Sequence, residues 1–400
     1  MSKVKIVLLI LVAASAAMLL YYSSIRSTQL THGFASYYTH SRLLAEAGDM
    51  TAAYDSLYFH SKMSEYNFGR VKDLPNLPTG SLIMFPLAFM DPVKAKVLWT
   101  AISLLALAAS VLLLFRTYNI SFNSVPGFAL LIFTFVMNPL YNNMLFGQVY
   151  TVILLLASGA LYGLKTNKPI LTAASIALML VFKGYGLYPL AALLIMKEYR
   201  AFIHSIVFTA VILLSTLPLY GVTAWQMYYT EFYSVVSYGT FAGHTAYQTF
   251  GSLLMHTFGN VPKVFLYYLA QAAGLIVLIF TTLRLKSAGK VAALTCAIAL
   301  NVIFSPAAEN YHYVLLIPLV YWVGSIITLL PHPKKVLSAA LILFTALLSA
   351  PLGYLALNNS PFPIFLLGYP RLYAGATILV IAVIFSLSVS RNKSSESSLH

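Results

Sequence analysis

Val97 to Phe115 reads VLWTAISLLALAASVLLLF and is closed by Arg116. The run holds no charged side chain, and about 20 apolar residues are what an α-helix needs to cross a hydrocarbon core of roughly 30 Å. Runs of this kind recur along the whole chain. Across 400 residues the composition is 60% hydrophobic and only 8% charged. Soluble domains carry about a quarter charged residues to clothe themselves in solvated surface, so this composition excludes an ordinary soluble enzyme. A membrane barrel would show short segments of alternating polarity, and none is present. The sequence therefore describes an all-α polytopic membrane protein forming one integral membrane domain over residues 1–400.

Outward from that run, the apolar segments are Ile6–Tyr22, Val125–Tyr141, Val149–Leu164, Ile170–Phe182, Tyr185–Met196, Phe202–Leu219, Val264–Leu283, Val291–Phe304, Tyr313–Leu330, Val336–Leu352 and Leu372–Val389. With Val97–Phe115 they give twelve crossings, if the short pair Ile170–Phe182 and Tyr185–Met196 is counted as two rather than as one re-entrant hairpin. Leu82–Met90, interrupted by Pro86, is too short to cross and is expected to be re-entrant or interfacial. Ile6–Tyr22 follows Lys3 and Lys5 but lacks a small-x-small exit site, so it reads as a retained first span rather than a cleaved signal.

Charge orients the chain. With both termini cytoplasmic, Arg116, Lys165, Lys168, Lys197, Arg200, Arg284, Lys286, Lys290, Lys334, Lys335, Arg391 and Lys393 fall inside, as the positive-inside rule requires. Lys94, Lys96 and Lys263 are the exceptions. The net charge of +14 is thereby absorbed by span ends. No basic run with interleaved aromatics points to nucleic acid. Residues 390–400 form a cytoplasmic tail. Cys296 stands alone in an apolar span, which excludes a disulfide framework or thiolate metal site.

The same orientation gathers most of the remaining polar groups outside. The loop at residues 23–78 holds Glu46, Asp49, Asp55, Glu65 and Asp73, five of the ten acidic residues, with His32, His40 and His60. Its stretches Tyr37–Ala47 and Asp49–Met63 read as amphipathic helices lying on the membrane surface. A second outer loop, residues 220–262, is rich in Tyr, Gly and Thr. A one-sided collection of this kind implies a site at the extracytoplasmic membrane face, whereas a transporter more often places polar groups at the bilayer midplane.

Lys183, in VFKGYG, sits at a break between two apolar runs. An ammonium there is either paired with an anion such as a lipid phosphate or snorkels to the interface as an anchor. Asn138-Pro139-Leu140-Tyr141-Asn142-Asn143, followed by Gly147-Gln148, makes a turn between spans whose amides could also bind sugar hydroxyls or phosphate. In Ser305-Pro306-Ala307-Ala308-Glu309-Asn310-Tyr311-His312, His312 is a hydrogen-bonding candidate, while Glu309 could cap the helix or act as a base. Interfacial aromatics with a comfortable histidine are the plainer account of that segment. Arg371, in Tyr369-Pro370-Arg371, is a phosphate contact or an outer anchor. No Walker loop, dinucleotide glycine motif, HExxH or G-x-S-x-G stands in a usable context.

These stretches, in this order, resemble the membrane-embedded GT-C glycosyltransferases and most closely glycosyltransferase family 87, whose members include polyprenyl-phosphate-mannose-dependent α-mannosyltransferases. The resemblance rests on Gly33-Phe34-Ala35-Ser36-Tyr37-Tyr38 with Leu43-Leu44, Gly48 and Tyr54-Asp55. It continues through Leu77-Pro78-Thr79-Gly80, Phe85-Pro86-Leu87, Ala95 and Leu98-Trp99. Asn138-Pro139 with Gly147-Gln148, Phe182-Lys183, and Ser305-Pro306 with Tyr311-His312-Tyr313 complete it. Each motif is loose alone; their order over about three quarters of the chain gives the match its specificity.

The resemblance implies a GT-C-like bundle of about twelve transmembrane or re-entrant helices with a large first outer loop. It implies transfer of a hexose, mannose favoured, from a polyprenyl-phosphate donor to a lipid or glycan acceptor. The donor's phosphate and sugar would be bound by Lys183, His312, Asn142, Asn143, Gln148, Arg371 and Glu309, with the Lys, Arg, His and amide donors gathering the phosphate charge. A first-loop carboxylate would act as base and give inversion. No metal or other cofactor is demanded by such a leaving group. One departure stands out: family members typically carry an Asp where this chain has Gly33, and glycine cannot be a base. Asp49, Asp55 or His32 would then take the role, or the activity is altered. The rival readings are a transporter or flippase for a lipid-linked glycan, disfavoured by the lack of inverted repeats and of midplane charges, and a non-catalytic scaffold, which Gly33 favours.

Overall fold

The computed structural model describes residues 2–47, 50–69, 76–239, 242–286, 289–327 and 343–397, and among these it is helical with no strand. The chain opens with α1 (Lys3–Arg26), α2 (His32–Ala47) and α3 (Ser56–Glu65), then passes through 3-10 turns at Pro78–Ile83 and Phe85–Leu87. The run Val97–Phe115 lies inside α4 (Pro92–Thr117). Its ends follow helix chemistry. The Asp91 carboxylate accepts from the backbone N–H groups of Val93 and Lys94, Pro92 fills the first turn, and Arg116 sits in the last turn against the carbonyl end.

The next apolar run breaks where the sequence reading expected continuity. Val125–Tyr141 is two helices, α5 (Val125–Val136) and α6 (Asn138–Phe146), bent by 42°. Met137 leaves helical geometry with ψ 113° because it precedes Asn138-Pro139, and Pro139 is tolerated in the first turn of the new helix. Beyond lie α7 (Tyr150–Lys165), α8 (Pro169–Lys183) and α9 (Leu187–Ile195). Gly184, at φ +73°, ends α8 in the left-handed region. At 1.5 Å per residue α9 is only about 14 Å long, less than half a hydrocarbon core.

A second correction concerns α10 (Tyr199–Met227), expected to end at Leu219. It bends near Pro218 and Gly221 and runs on through a π-turn, Tyr228–Tyr233, to Ser237, so the first part of the expected second loop is helical. The remaining helices are α11 (Phe250–Thr257), α12 (Lys263–Leu285), α13 (Lys290–Ile303), α14 (Ile317–Ile327), entered through a 3-10 segment at Asn310–Leu316, and α15 (Pro370–Ser397).

Among the described residues four helices are long and apolar enough to cross a membrane, or five if α5 and α6 form one span. Tyr150–Lys165, Pro169–Lys183, Lys290–Ile303 and Pro370–Ser386 are shorter apolar helices. Of Val336–Leu352, residues 336–342 lie outside the described residues and 343–349 are helical.

At the centre α7 packs against α4 and α8, and α8 against α10. Most of α13 is enclosed, with Cys296 among its buried residues. The largest surprise is α2. Far from lying on a membrane surface, it is buried around its circumference: Phe34, Tyr37, Tyr38, His40 and Leu43 are each 2% exposed or less. The 3-10 turns at 78–87, α3 and α6 enclose it. Two of its hydroxyls have internal partners, that of Tyr38 donating to the Met90 carbonyl and Ser41 Oγ to those of Tyr37 and Ser81. A helix whose hydroxyls have such partners can be interior in spite of its polarity.

Candidate active site

One large cavity, about 650 Å³, opens between α2, the end of α8, the α10 extension and the segment Ser305–His312. Its wall is mixed: Ser36, Asn76, Gln148, Lys183, Glu309 and His312 line it together with Leu180, Leu187 and Leu213. Tyr228, Tyr229, Phe232 and Tyr233 of the π-turn add an aromatic face.

Lys183 is the last residue of α8. Its ammonium donates to Asn76 Oδ1 at 2.8 Å and lies 4.9 Å from the Tyr37 ring centroid and 6.0 Å from that of Tyr150. Cation–π attraction and an amide oxygen therefore hold the charge. Asn76 is tied in turn by its Nδ2, which donates to Ser36 Oγ at 2.9 Å.

Glu309 and His312 brace each other at the start of the 3-10 segment. The Glu309 backbone N–H donates to His312 Nδ1 at 3.0 Å, and the Glu309 side chain accepts from the His312 backbone N–H. Because Nδ1 is the acceptor, the ring proton of a neutral His312 sits on Nε2. Tyr150 and Tyr311 pack on the ring with centroids 4.2 and 4.8 Å away. The Tyr311 hydroxyl donates to Glu309 Oε1 at 2.8 Å. Burial pushes the Glu309 carboxyl above the ordinary range, against the Tyr311 hydrogen bond and the Lys183 charge, which pull it down.

Gly33 also lines the cavity, and no larger residue fits there. A Cβ on it would stand 2.4 Å from Gln148 Nε2 and 2.7 Å from the Phe146 carbonyl oxygen. Glycine here lets Gln148 reach the cavity wall. The Gln148 turn is itself pinned from α4: Lys96, fully buried, donates to the carbonyls of Met144 and Leu145, and Trp99 Nε1 donates to that of Gly147. A cation at the C-terminus of α6 answers the negative end of its dipole. Gly147 adopts φ +60°, with Lys96 Nζ 2.4 Å from where a Cβ would lie.

The structure thus brings together Lys183, Gln148, Glu309 and His312 and sets the other expected residues apart. Asp55 caps α3, accepting from the Tyr58 N–H at 2.9 Å, and does not line the cavity. Asp49 lies outside the described residues. His32 packs its ring on Phe146 at 4.4 Å, and burial lowers its pKa. Asn142 is half-buried away from the cavity, and Asn143 Oδ1 accepts from the Tyr150 N–H, joining α6 to α7. Arg371 is enclosed and donates to Asn310 Oδ1, Asn138 Oδ1 and the carbonyls of Leu347 and Ala350. Asn76 and Tyr150 escaped the sequence reading. Nothing separates Asn76 from any other loop amide until the fold carries it to Lys183.

The fold and this chamber define an all-helical membrane protein with an internal, charged and aromatic site. The model of glycosyltransferase family 87 matches residues 76–309, more than half of the chain, and the chain belongs to that family; it is a glycosyltransferase. The match contains Lys183, Gln148 and Glu309 and leaves Gly33, His312 and Arg371 outside it. Among curated proteins none matches the sequence.

Proposed function

We propose that the protein transfers a hexose, mannose favoured, from a polyprenyl-phosphate donor to a lipid or glycan acceptor at the outer face of the cytoplasmic membrane, with both termini cytoplasmic. The observation that supports this most is that one cavity carries both the charged and amide side chains Lys183, Gln148 and Asn76 and the apolar side chains Leu180, Leu187 and Leu213. An amphiphile with a phosphate head and an isoprenoid tail needs both kinds of lining.

In the reaction, the bond between the anomeric carbon and the phosphate oxygen breaks while the acceptor oxygen bonds to the same carbon from the opposite face, which inverts it. Negative charge grows on the departing lipid phosphate. The Lys183 ammonium, the His312 Nε2–H and the Gln148 amide are donors of the kind that stabilise it, and in a site shielded from water such preorganised donors act most strongly. The aromatic face of the π-turn suits the C–H faces of a sugar ring.

Purified protein in detergent, given polyprenyl-phosphate-mannose and labelled acceptor lipids, is expected to form a glycosylated acceptor. No transfer with any polyprenyl-phosphate hexose, together with movement of the donor lipid across liposomes, would replace the transferase with a flippase.

A further inference from the structure

We propose that Glu309 is the general base of this transfer, the role having moved from the first loop to the segment Ser305–His312. The inference rests on the transferase reading above.

Among the described residues Glu309 is the sole acidic side chain lining the cavity. The position in the first loop where a carboxylate is expected is closed to one. Gly33 abuts Gln148 Nε2 and the Phe146 carbonyl, so even a methyl group there would overlap them. Asp55 is committed to the N-terminus of α3. Glu309, by contrast, stands on the same cavity as Lys183 and is oriented from two sides, by the Tyr311 hydroxyl on Oε1 and by the His312 backbone N–H. Each carboxylate oxygen has two lone pairs, so these bonds leave acceptor capacity for a substrate hydroxyl. Burial favours the protonated form and so makes the carboxylate a stronger base than an exposed one.

The step balances within the named groups. The acceptor O–H gives its proton to a Glu309 oxygen, and its oxygen pair forms the bond to the anomeric carbon. The carbon–oxygen bond to phosphate breaks with its electron pair, leaving the lipid phosphate beside Lys183. Glu309 then returns the proton to solvent or to the phosphate as product leaves. The ionisable groups that face the carboxyl are Lys183 from α8, Tyr150 from α7, Tyr185 from the α8–α9 turn, Tyr354 from the segment before α15, and Tyr311 and His312 on its own segment. Arg371, from α15, aims its donors at Asn310, Asn138 and backbone carbonyls instead.

Glu309→Gln separates this role from capping, because glutamine still accepts from the His312 N–H but cannot take a proton. Transfer from polyprenyl-phosphate-mannose is expected to fall about 10²–10⁴-fold in kcat, with the donor KM within about threefold. Transfer within tenfold of wild type, or loss of transfer in Asp49→Asn or Asp55→Asn while Glu309→Gln stays active, would overturn it. Should Glu309→Gln fail to fold, Tyr311→Phe provides the test. Losing the hydroxyl that favours the carboxylate raises the base's pKa, so the acid limb of kcat against pH moves to higher pH; an unmoved limb overturns the assignment. Wild-type protein that transfers nothing would instead remove the transferase reading itself.

Discussion

Lys183 and Arg371 are the two cations that the sequence places at the donor phosphate, and the fold treats them oppositely. Lys183, at the end of α8, lines the cavity and hands one proton to Asn76. Arg371, at the start of α15, is fully enclosed, forms no ion pair among the described residues, and meets only amide and carbonyl oxygens. Its own N–H donates to Gln248 Oε1 at 3.1 Å, and Gln248 in turn donates to the Gly368 and Thr245 carbonyls. One cation lines the cavity; the other is enclosed, knitting α6, the Asn310 turn and the segment before α15 together. What a buried guanidinium does is decided by the direction of its donors, since five fixed N–H groups can be saturated by backbone alone.

Removing each side chain should separate these roles, and the Arg371 change is the larger. Arg371→Leu leaves the Leu347 and Ala350 carbonyls and Asn310 Oδ1 in a buried site with a partner lost. Breaking such a buried charged network costs about 3–5 kcal/mol. Thermal unfolding in detergent is expected to drop sharply, or the protein to be lost during extraction. A stable Arg371→Leu protein whose only fault is weak donor binding would put Arg371 in the phosphate site and end the contrast.

Lys183→Ala should do the reverse. A charged hydrogen bond to a phosphate is worth about 1.5–3 kcal/mol, so donor affinity is expected to fall roughly tenfold to a hundredfold, at a stability cost of about 1 kcal/mol or less for the Asn76 bond. Titration of the purified variant with polyprenyl phosphate measures the first and its melting curve the second. Unchanged affinity would make Lys183 an interfacial anchor.

The sequence distinguishes these cations only in part. That α4 is a helix of membrane-spanning length was legible because the information is local: nineteen or so apolar residues between Asp91-Pro92 and Arg116. Lys183 stood out because Gly184 and Gly186 mark a helix end beside it. Tyr369-Pro370-Arg371, however, reads the same for an interfacial anchor and for a buried node. The groups that enclose it, Asn138, Asn310, Leu347 and Ala350, are far apart in the chain. Lys96 is a second case: in the sequence it is a basic residue beside a span and an exception to the charge rule, and only the fold shows it buried against the carbonyl end of α6. The first loop misled through polarity: α2 carries Ser36, Ser41 and His40 inward, and hydropathy cannot show that Ser41 and Tyr38 find partners there. Gly33 as a departure from the family was legible, yet its cause, the approach of Gln148, was not.

His40 extends the contrast to a buried group with no such compensation. It is fully enclosed on α2, edge-on to Tyr54 at 5.5 Å and Phe59 at 6.4 Å, and among the described residues neither ring nitrogen has a hydrogen-bond partner. Desolvation holds its folded pKa down at about 3, against 6.5 when exposed. The folded protein therefore keeps His40 neutral while the unfolded chain takes up a proton below pH 6.5, so stability is full above that pH and declines as pH falls toward 3. The slope for one group is about 1.4 kcal/mol per pH unit, which makes the loss at pH 5.5 the smallest of these effects. Melting curves between pH 7.5 and 5.0 should show it, and His40→Phe, which keeps an aromatic ring between Tyr54 and Phe59, should flatten that dependence. Arg371→Leu should leave the slope as it was, because a guanidinium stays charged in both states. An acid dependence equally steep in His40→Phe would mean that the α2 wall tolerates a charge, and that its enclosure differs less from the Lys183 side than the burial of its side chains implies.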